Sequence, residues 1–339
     1  HIITRSREAV LAEVAKLPKG TWHNSLTVDG YDHPLTIKAA LTVSDTGIHV
    51  DFTGTSPTVR RGINVPLAYT TAYTVFGLGC VVSRGIPNNA GSLSPFTLFA
   101  PEGCILNAPK PCAVTSRHVI GQMLPDTAFG CLRQAVPDRV PAEGTSCLWS
   151  ISVRGNSTGG DGPNHGYSTV LSTNGGTGAR PYQDGLSATA YPSGVQGSPV
   201  EVVEIQSPLL FWRKELRPDS GGAGRSRGGL GQIIELASAE NAPFELVASF
   251  DRIDNPPRGR DGGGNGAAGY VGLVSGKRLR GKGRQEIPPG ERLRVLTPGG
   301  GGIGAPSTRD PAKVATDLAN GLVTPAAASE HYGRLAAAE

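Results

Sequence analysis

The chain has 339 residues, 38% hydrophobic and 18% charged, enough for one large domain or two ordinary ones with real cores. Glycine (48) and proline (27) make up about 22% of it against roughly 12% in average usage, which excludes a mainly helical protein. The net charge of +4 is too small to mark a nucleic-acid binder, and no run reaches the roughly 18–20 apolar residues of a membrane-spanning helix.

In chain order, Val10, Leu11, Val14 and Leu17 fall at helical spacing in residues 5–17, and the following PKG stops that helix. Residues 35–52 alternate apolar and polar around the turn SDTG, which predicts a hairpin. Pro66 opens a predicted buried helix over 66–83. The stretch PFTLFAPEGCILNAP (95–109) reads as strand, turn and strand, and residues 116–136 as a long helix that Pro125 kinks or splits, with Ser116 and Asp126 as candidate caps.

Beyond Glu143 the pattern changes to short β-type runs, LWSISV, YSTVL, VEVVEIQ, IIELAS, FELVASF, YVGLV and RLRVL, separated by glycine-rich turns. Two acidic-capped helices close the chain, in DPAKVATDLANG and PAAASEHYGRLAAA. The fold class is therefore α+β: a helix-and-hairpin region over 1–150 and a β-rich, glycine-rich region over 151–339, packed into one body. The 35 glycines of residues 151–339, against 13 in residues 1–150, set that boundary.

The glycine clusters invite a phosphate-loop reading, but the GK pairs at 276–277 and 281–282 lack the Walker context, and SGGAGRSRGGLG (220–231) lies among strands. Tight turns account for them. The basic run KRLRGKGR (277–284) has no interleaved aromatics and reads as a solvated hairpin. The seven histidines form no HExxH or HxH, so a self-contained metal site is not expected. His118 lies eight residues before Asp126, and a kink at Pro125 brings both toward a pocket; the alternative is a surface histidine and a capping aspartate. Arg217, Asp219, Ser220 and Arg225 mark a ligand- or subunit-contact loop, or a structural turn capped by Asp219. Asp161 and His165 sit in a second polar loop, GNSTGGDGPNHGY. Five cysteines without a CxxC pair point to buried thiols in a reducing compartment.

The blocks DFTGTSP (51–57), IPNNAGSLSPFTLFAPEGCILNAPKPCAV (86–114), DGLSATAYPSGVQGSPVEVVE (184–204), ELRPDSGGAGRSRGGLG (215–231) and TPGGGGIGAPSTRDPAKVATDLANGLVTPAAASEHYG (297–333) occur in an order that resembles the hydantoinase B/oxoprolinase family. That family includes the B-type components of N-methylhydantoinases, the corresponding half of 5-oxoprolinase, and large subunits of acetone and acetophenone carboxylases. The resemblance implies a B-type subunit of an ATP-dependent, cytoplasmic, hetero-oligomeric hydrolase that opens a hydantoin, 5-oxoproline or related lactam by phosphorylating its carbonyl oxygen. The alternative is a subunit of an ATP-dependent ketone carboxylase, or a non-catalytic structural module of such a complex. The resemblance also implies ATP and Mg on an A-type partner subunit, and a small-molecule substrate, with no nucleic acid or membrane. Members are considerably longer, and their amino-terminal NDP segment and HxxDxGG motifs are missing from this sequence. The chain thus corresponds to the carboxy-terminal part of a longer subunit, with a divalent metal expected on the remainder and no ligand carried over here.

Overall fold

The computed structural model describes residues 1–157 and 165–333, which form two compact units, His1–Pro141 and Ala142–Glu339. The class is α+β.

In the first unit, helix α1 (Ile2–Ala15) buries Val10 and Val14, as the helical spacing requires, and ends just before Pro18. Strands β1 (Gly20–Val28), β2 (Leu35–Ser44), β3 (Gly47–Asp51) and β4 (Phe96–Phe99) form one sheet in the order β1-β2-β3-β4, antiparallel except for the parallel β3–β4 pair. The predicted hairpin is β2–β3, with Leu41 opposite Val50. Its period-two pattern buries Leu35, Ile37, Ala39, Leu41 and Val43 and leaves Thr36, Lys38 and Thr42 on the outward face.

Helix α2 (Leu67–Val82), with Pro66 as N-cap, packs against α5 (Leu124–Leu132), and α5 lies on β1 and β2. The close crossing requires Gly77, where a Cβ would lie 2.8 Å from the Cα of Pro125. Asn24 Nδ2 donates to the Thr127 carbonyl at 2.9 Å and joins the sheet to α5. A short helix α3 (Ala90–Leu93) begins with a capping box in which Asn89 accepts from Gly91 and Ser92.

One expectation resolves as a split, and another changes. The 116–136 segment forms α4 (His118–Gly121) and α5, and the break falls at Gln122–Met123, so Pro125 starts the second helix instead of kinking a continuous one. After β4, the 104–106 stretch makes only an isolated bridge, Pro57 to Cys104, in place of a second strand.

The second unit holds two antiparallel four-stranded sheets. One has the order β10-β12-β8-β7, from β7 (Leu209–Leu216), β8 (Gln232–Ser238), β10 (Tyr270–Leu273) and β12 (Leu293–Leu296). The other has the order β11-β9-β5-β6, from β5 (Trp149–Ser157), β6 (His165–Thr173), β9 (Phe244–Ser249) and β11 (Lys282–Ile287). Trp149, fully buried, stacks on Phe250 at 4.4 Å and donates its indole N–H to the Asp251 carbonyl.

The glycine runs build a core of their own. In 299–304 successive N–H groups point to different neighbours: Gly299 to Ala267, Gly300 to Gly229, Gly301 to Glu143, Gly302 to Gly264 and Ile303 to Ser226. Residues 299 and 302 thus address one segment, and 300 and 303 another, so the run turns once every three residues, the period of an extended polyproline-type helix. Gly176 and Ala179 donate to the Pro298 and Gly301 carbonyls at the same interval. Packing backbone on backbone leaves no room for side chains. A Cβ on Gly300 would lie 1.9 Å from the Thr177 carbonyl oxygen, and one on Gly299 1.7 Å from that of Ser220.

VEVVEIQ, expected as a strand, is helix α6 (Val200–Gln206): Pro199 stands at its N-cap, and only Val203 of the helix is buried. The basic run 277–284 divides, Arg278 bridging back to Gly272 while Lys282 opens β11 on the other sheet. Helices α7 (Pro311–Ala319) and α8 (Pro325–Tyr332) close the described chain. Asp310 caps α7 as expected, but Thr324 caps α8. Asp161 and the end of the last predicted helix, 334–339, lie outside the described residues.

Candidate functional site

His118 opens α4 and is half-buried; burial first, and the neighbouring Arg117 guanidinium second, hold its imidazole below the ordinary histidine value. Beside it, Arg117 lies 5.4 Å over the Tyr69 ring, and Tyr69 stacks on Tyr73 at 4.7 Å. Burial first, then the hydrogen bond to Tyr73, push the Tyr69 phenol well above its usual range. Gly121 makes room for this ring, since a Cβ there would lie 2.4 Å from Tyr69 Cε1. Asp126 is 1% exposed in the first turn of α5, not at its cap. The tyrosine pair escaped the sequence reading because α2 is apolar around its whole circumference and its phenols carry no periodic signal.

The four residues of the 217–225 loop each find partners within their own unit. Arg217 donates to the Ala268 and Thr297 carbonyls, and burial lowers its pKa. Ser220 is fully buried, donating to the Arg217 carbonyl at 2.6 Å and accepting from Gly231 N–H at 2.9 Å. Asp219, in a left-handed turn at φ 60°, accepts from both the N–H and the hydroxyl of Thr324 at 2.8 Å, which fastens the loop to the start of α8. Arg225 is exposed, donates to the Pro181 carbonyl and covers the Tyr182 ring.

Two buried ion clusters flank the glycine core. Asp317 on α7 takes both Arg227 and Arg309, and Arg309 also grips Asp184 through two bonds of 2.7 and 2.8 Å. Glu143, 1% exposed, is approached by Arg252, Arg258 and Arg260. Burial pushes its carboxyl up, but Arg252 and Arg258 outweigh this, so the net shift is downward. No sequence spacing announces either cluster, because the partners are separated by 90 residues or more in most pairs.

In the first unit a concavity of about 450 Å³ lies along β1 and β2, lined by His23, Asn24, Ser25, Lys38, Ala39, Ala40 and Thr53. It offers an ammonium group, an imidazole and hydroxyls, a surface able to hydrogen-bond a small ring bearing carbonyl and N–H groups.

The glycine N–H groups do not converge on an open anion nest; those of 299–302 are spent on neighbouring carbonyls. Among the described residues no group of three His, Cys, Asp or Glu side chains is placed to hold a metal ion.

A family model described as Hydantoinase B/oxoprolinase matches residues 1–306. The chain belongs to the hydantoinase B/oxoprolinase family. A candidate D-/L-hydantoinase B-type component from Pseudomonas sp. (strain NS671) is 30% identical over 359 aligned positions, covering 98% of this chain and 58% of that protein. Among solved structures, the ATP-dependent caprolactamase of Pseudomonas jessenii superposes with a TM-score of 0.86 at 24% identity, covering 99% of this chain and 60% of that one. A nucleotide-free acetone carboxylase superposes at 0.79 with 18% identity, covering 98% and 52%. These two likenesses establish a shared fold. This member of the family therefore spans 58% of that hydantoinase component and 60% and 52% of the two structural neighbours. No helix among the described residues is long and apolar enough to cross a membrane.

Proposed function

We propose that this chain is the carboxy-terminal portion of a B-type subunit in an ATP-dependent cyclic-amide hydrolase acting on a hydantoin, 5-oxoproline or a related lactam. The family match over residues 1–306 carries the reading. Amide hydrolysis near neutral pH is slow because the carbonyl carbon is a poor electrophile and the amine a poor leaving group. Phosphorylating the carbonyl oxygen turns it into an activated ester that water attacks. On this reading an A-type partner subunit holds ATP with Mg, and the rest of the B-type subunit holds any divalent metal.

Within this chain, the Lys38 concavity offers hydrogen bonds matched to a ring with carbonyl acceptors and N–H donors. His118, whose imidazole burial holds below the ordinary histidine value, and the buried Asp126 are the polar residues proposed to face the reacting group. Arg217, Asp219, Ser220 and Arg225 order the loop that contacts substrate or subunit.

The test is phosphate release by the reconstituted complex with hydantoin, 5-oxoproline or a simple lactam, set against acetone plus bicarbonate. Ring-dependent phosphate release is expected. Release only with ketone and bicarbonate would replace hydrolase with carboxylase. Unchanged turnover in both His118→Gln and Asp126→Asn would reduce this portion to a structural module.

A further inference from the structure

The last two helices carry a hydrophobic core of their own. Val314 on α7, Val323 in the turn between the helices and Ala328 on α8 are buried together, with Leu318, Ala327 and Tyr332 packed against them; among the described residues, none before Val314 joins the cluster. The stripe that α7 turns inward is Val314, Asp317 and Leu318, at i, i+3 and i+4. A helix that docks by burying apolar surface puts a hydrophobic residue in the middle of that stripe. Here the middle position is Asp317, only 4% exposed.

Charge and hydrogen bonds take over the docking. Arg227 donates to both Asp317 oxygens, from Nε at 3.1 Å and from Nη2 at 3.2 Å, and Arg309 Nη2 adds a bond of 2.7 Å. The Asp219 N–H donates to the Leu322 carbonyl at 3.1 Å, while the Asp219 carboxylate accepts twice from Thr324. Tyr332 reaches the Gly224 backbone, and Arg309 lies 5.8 Å over its ring. The positions held, Asp219, Gly224 and Arg227, all belong to one loop, and the Arg225 carbonyl between them accepts from Arg309 at 3.2 Å.

Ion pairs in a buried site add little net stability, because opening returns both charges to water and recovers their desolvation cost. A segment joined to its surroundings by few apolar contacts opens at a lower free energy than the cores beside it. When the latch parts, the internal cluster keeps the two helices together, since Val314, Val323 and Ala328 lose no partner. We propose that the α7–α8 hairpin is a clasp that opens as one unit while both sheets of the second unit stay folded, and that its opening frees the 219–227 loop. Opening withdraws the Asp317 carboxylate from Arg227 and unpins the loop on both sides of Arg225. The inference goes beyond the proposed function, in which this loop contacts substrate or subunit, and makes that contact switchable.

Hydrogen exchange of the full chain under native conditions, read by mass spectrometry, tests the clasp without a variant. Peptides across 311–332 are expected to exchange together, at least about tenfold faster than those of β8 and β12, with the Asp219 amide keeping pace because its acceptor is the Leu322 carbonyl. Asp317→Asn keeps the shape of the latch and removes its charge. It should speed exchange across 311–332 by at least about tenfold more than it speeds β8 and β12. Exchange at the same rate as the sheets would make the hairpin an integral part of the unit. Protection that falls off residue by residue toward the chain end would be ordinary fraying. Either result overturns the clasp and leaves the proposed function, which rests on phosphate release, untouched.

Discussion

The two units solve the same problem of excluding water by opposite means. In the first, side-chain volume fills the space: Leu26, Ile37, Leu41, Val50 and Phe52 come off the sheet, and Leu124 and Leu132 off α5, all essentially inaccessible to solvent. In the second, Trp149, Ile151, Ile234 and Phe250 are buried in the same way, but beside them lies an interior of main chain, and what fits that part together is the lack of a Cβ at Gly299, Gly300, Gly301 and Gly302. A core of the first kind is damaged by removing atoms. A core of the second kind is damaged by adding one, and its specificity comes from hydrogen-bond directions rather than shape.

Substitutions can break that contrast. The largest effect is expected from Gly300→Ala, because the new Cβ meets two rigid backbone atoms at 1.9 and 2.3 Å. Overpacking usually costs about 1–3 kcal/mol, and here, with no flexible side chain to yield, it should reach about 4 kcal/mol or more. Hydrogen-exchange mass spectrometry should show protection lost across 175–179, 220–231 and 297–304 and kept in β1–β3. Next comes Asp317→Ala, which leaves Arg227 buried without its carboxylate and Arg309 with Asp184 alone, and should cost about 3–5 kcal/mol in denaturant unfolding. In the first unit Ile37→Ala should cost about 2–5 kcal/mol, while Gly54→Ala, on an exposed turn at φ 84°, should cost about 1 kcal/mol through strain alone. Exchange that fails to localise Gly300→Ala to the second unit would refute the proposed division of labour.

Acidity sharpens the contrast further. Glu143 and Asp184 both have folded pKa values below the ordinary carboxylate range: at each, burial raises the pKa, but the arginines beside it lower it more. A group depressed in the folded state contributes its stability above the unfolded value and loses it as pH falls through the folded value. The second unit should therefore begin to lose stability only below about pH 4, followed by circular dichroism. Neutralising one anchor as Glu143→Gln should lower stability at neutral pH and flatten that acid-induced loss, because the carboxylate that titrates there is gone. The smallest effect is expected from Asp219→Ala, which removes the carboxylate accepting from Thr324 and should lower stability by about 1 kcal/mol, with fraying confined to α8.

What the sequence disclosed follows the same divide. Side-chain periodicity revealed α1, the β2–β3 hairpin and most strands of the second unit, because each buries one regular face, and Pro66 marked the start of α2. VEVVEIQ misled because its valines and isoleucine favour strands, whereas Pro199 and a single buried contact at Val203 suffice for a short helix. Strand β1 hides behind polar residues such as His23 and Asn24, and β7 behind the charged RKE of its second half. The glycine runs read as turns, since a three-residue period without side chains has no hydrophobic signature. Of the candidate site, the turn that Ser220 closes was legible, whereas the partner of Asp219, Thr324, was not. Tyr69, Arg117 and the Glu143 and Asp317 clusters were not, because distant segments assemble them.

The central claim is that this chain works as one portion of a B-type subunit together with an ATP-binding partner. Native mass spectrometry of the protein purified from its own source, with peptide mapping of every co-purifying chain, tests it most directly. The account predicts a hetero-oligomer containing an ATP-binding A-type chain and the remainder of the B-type subunit. A single species at 35.1 kDa, with neither companion, would contradict it.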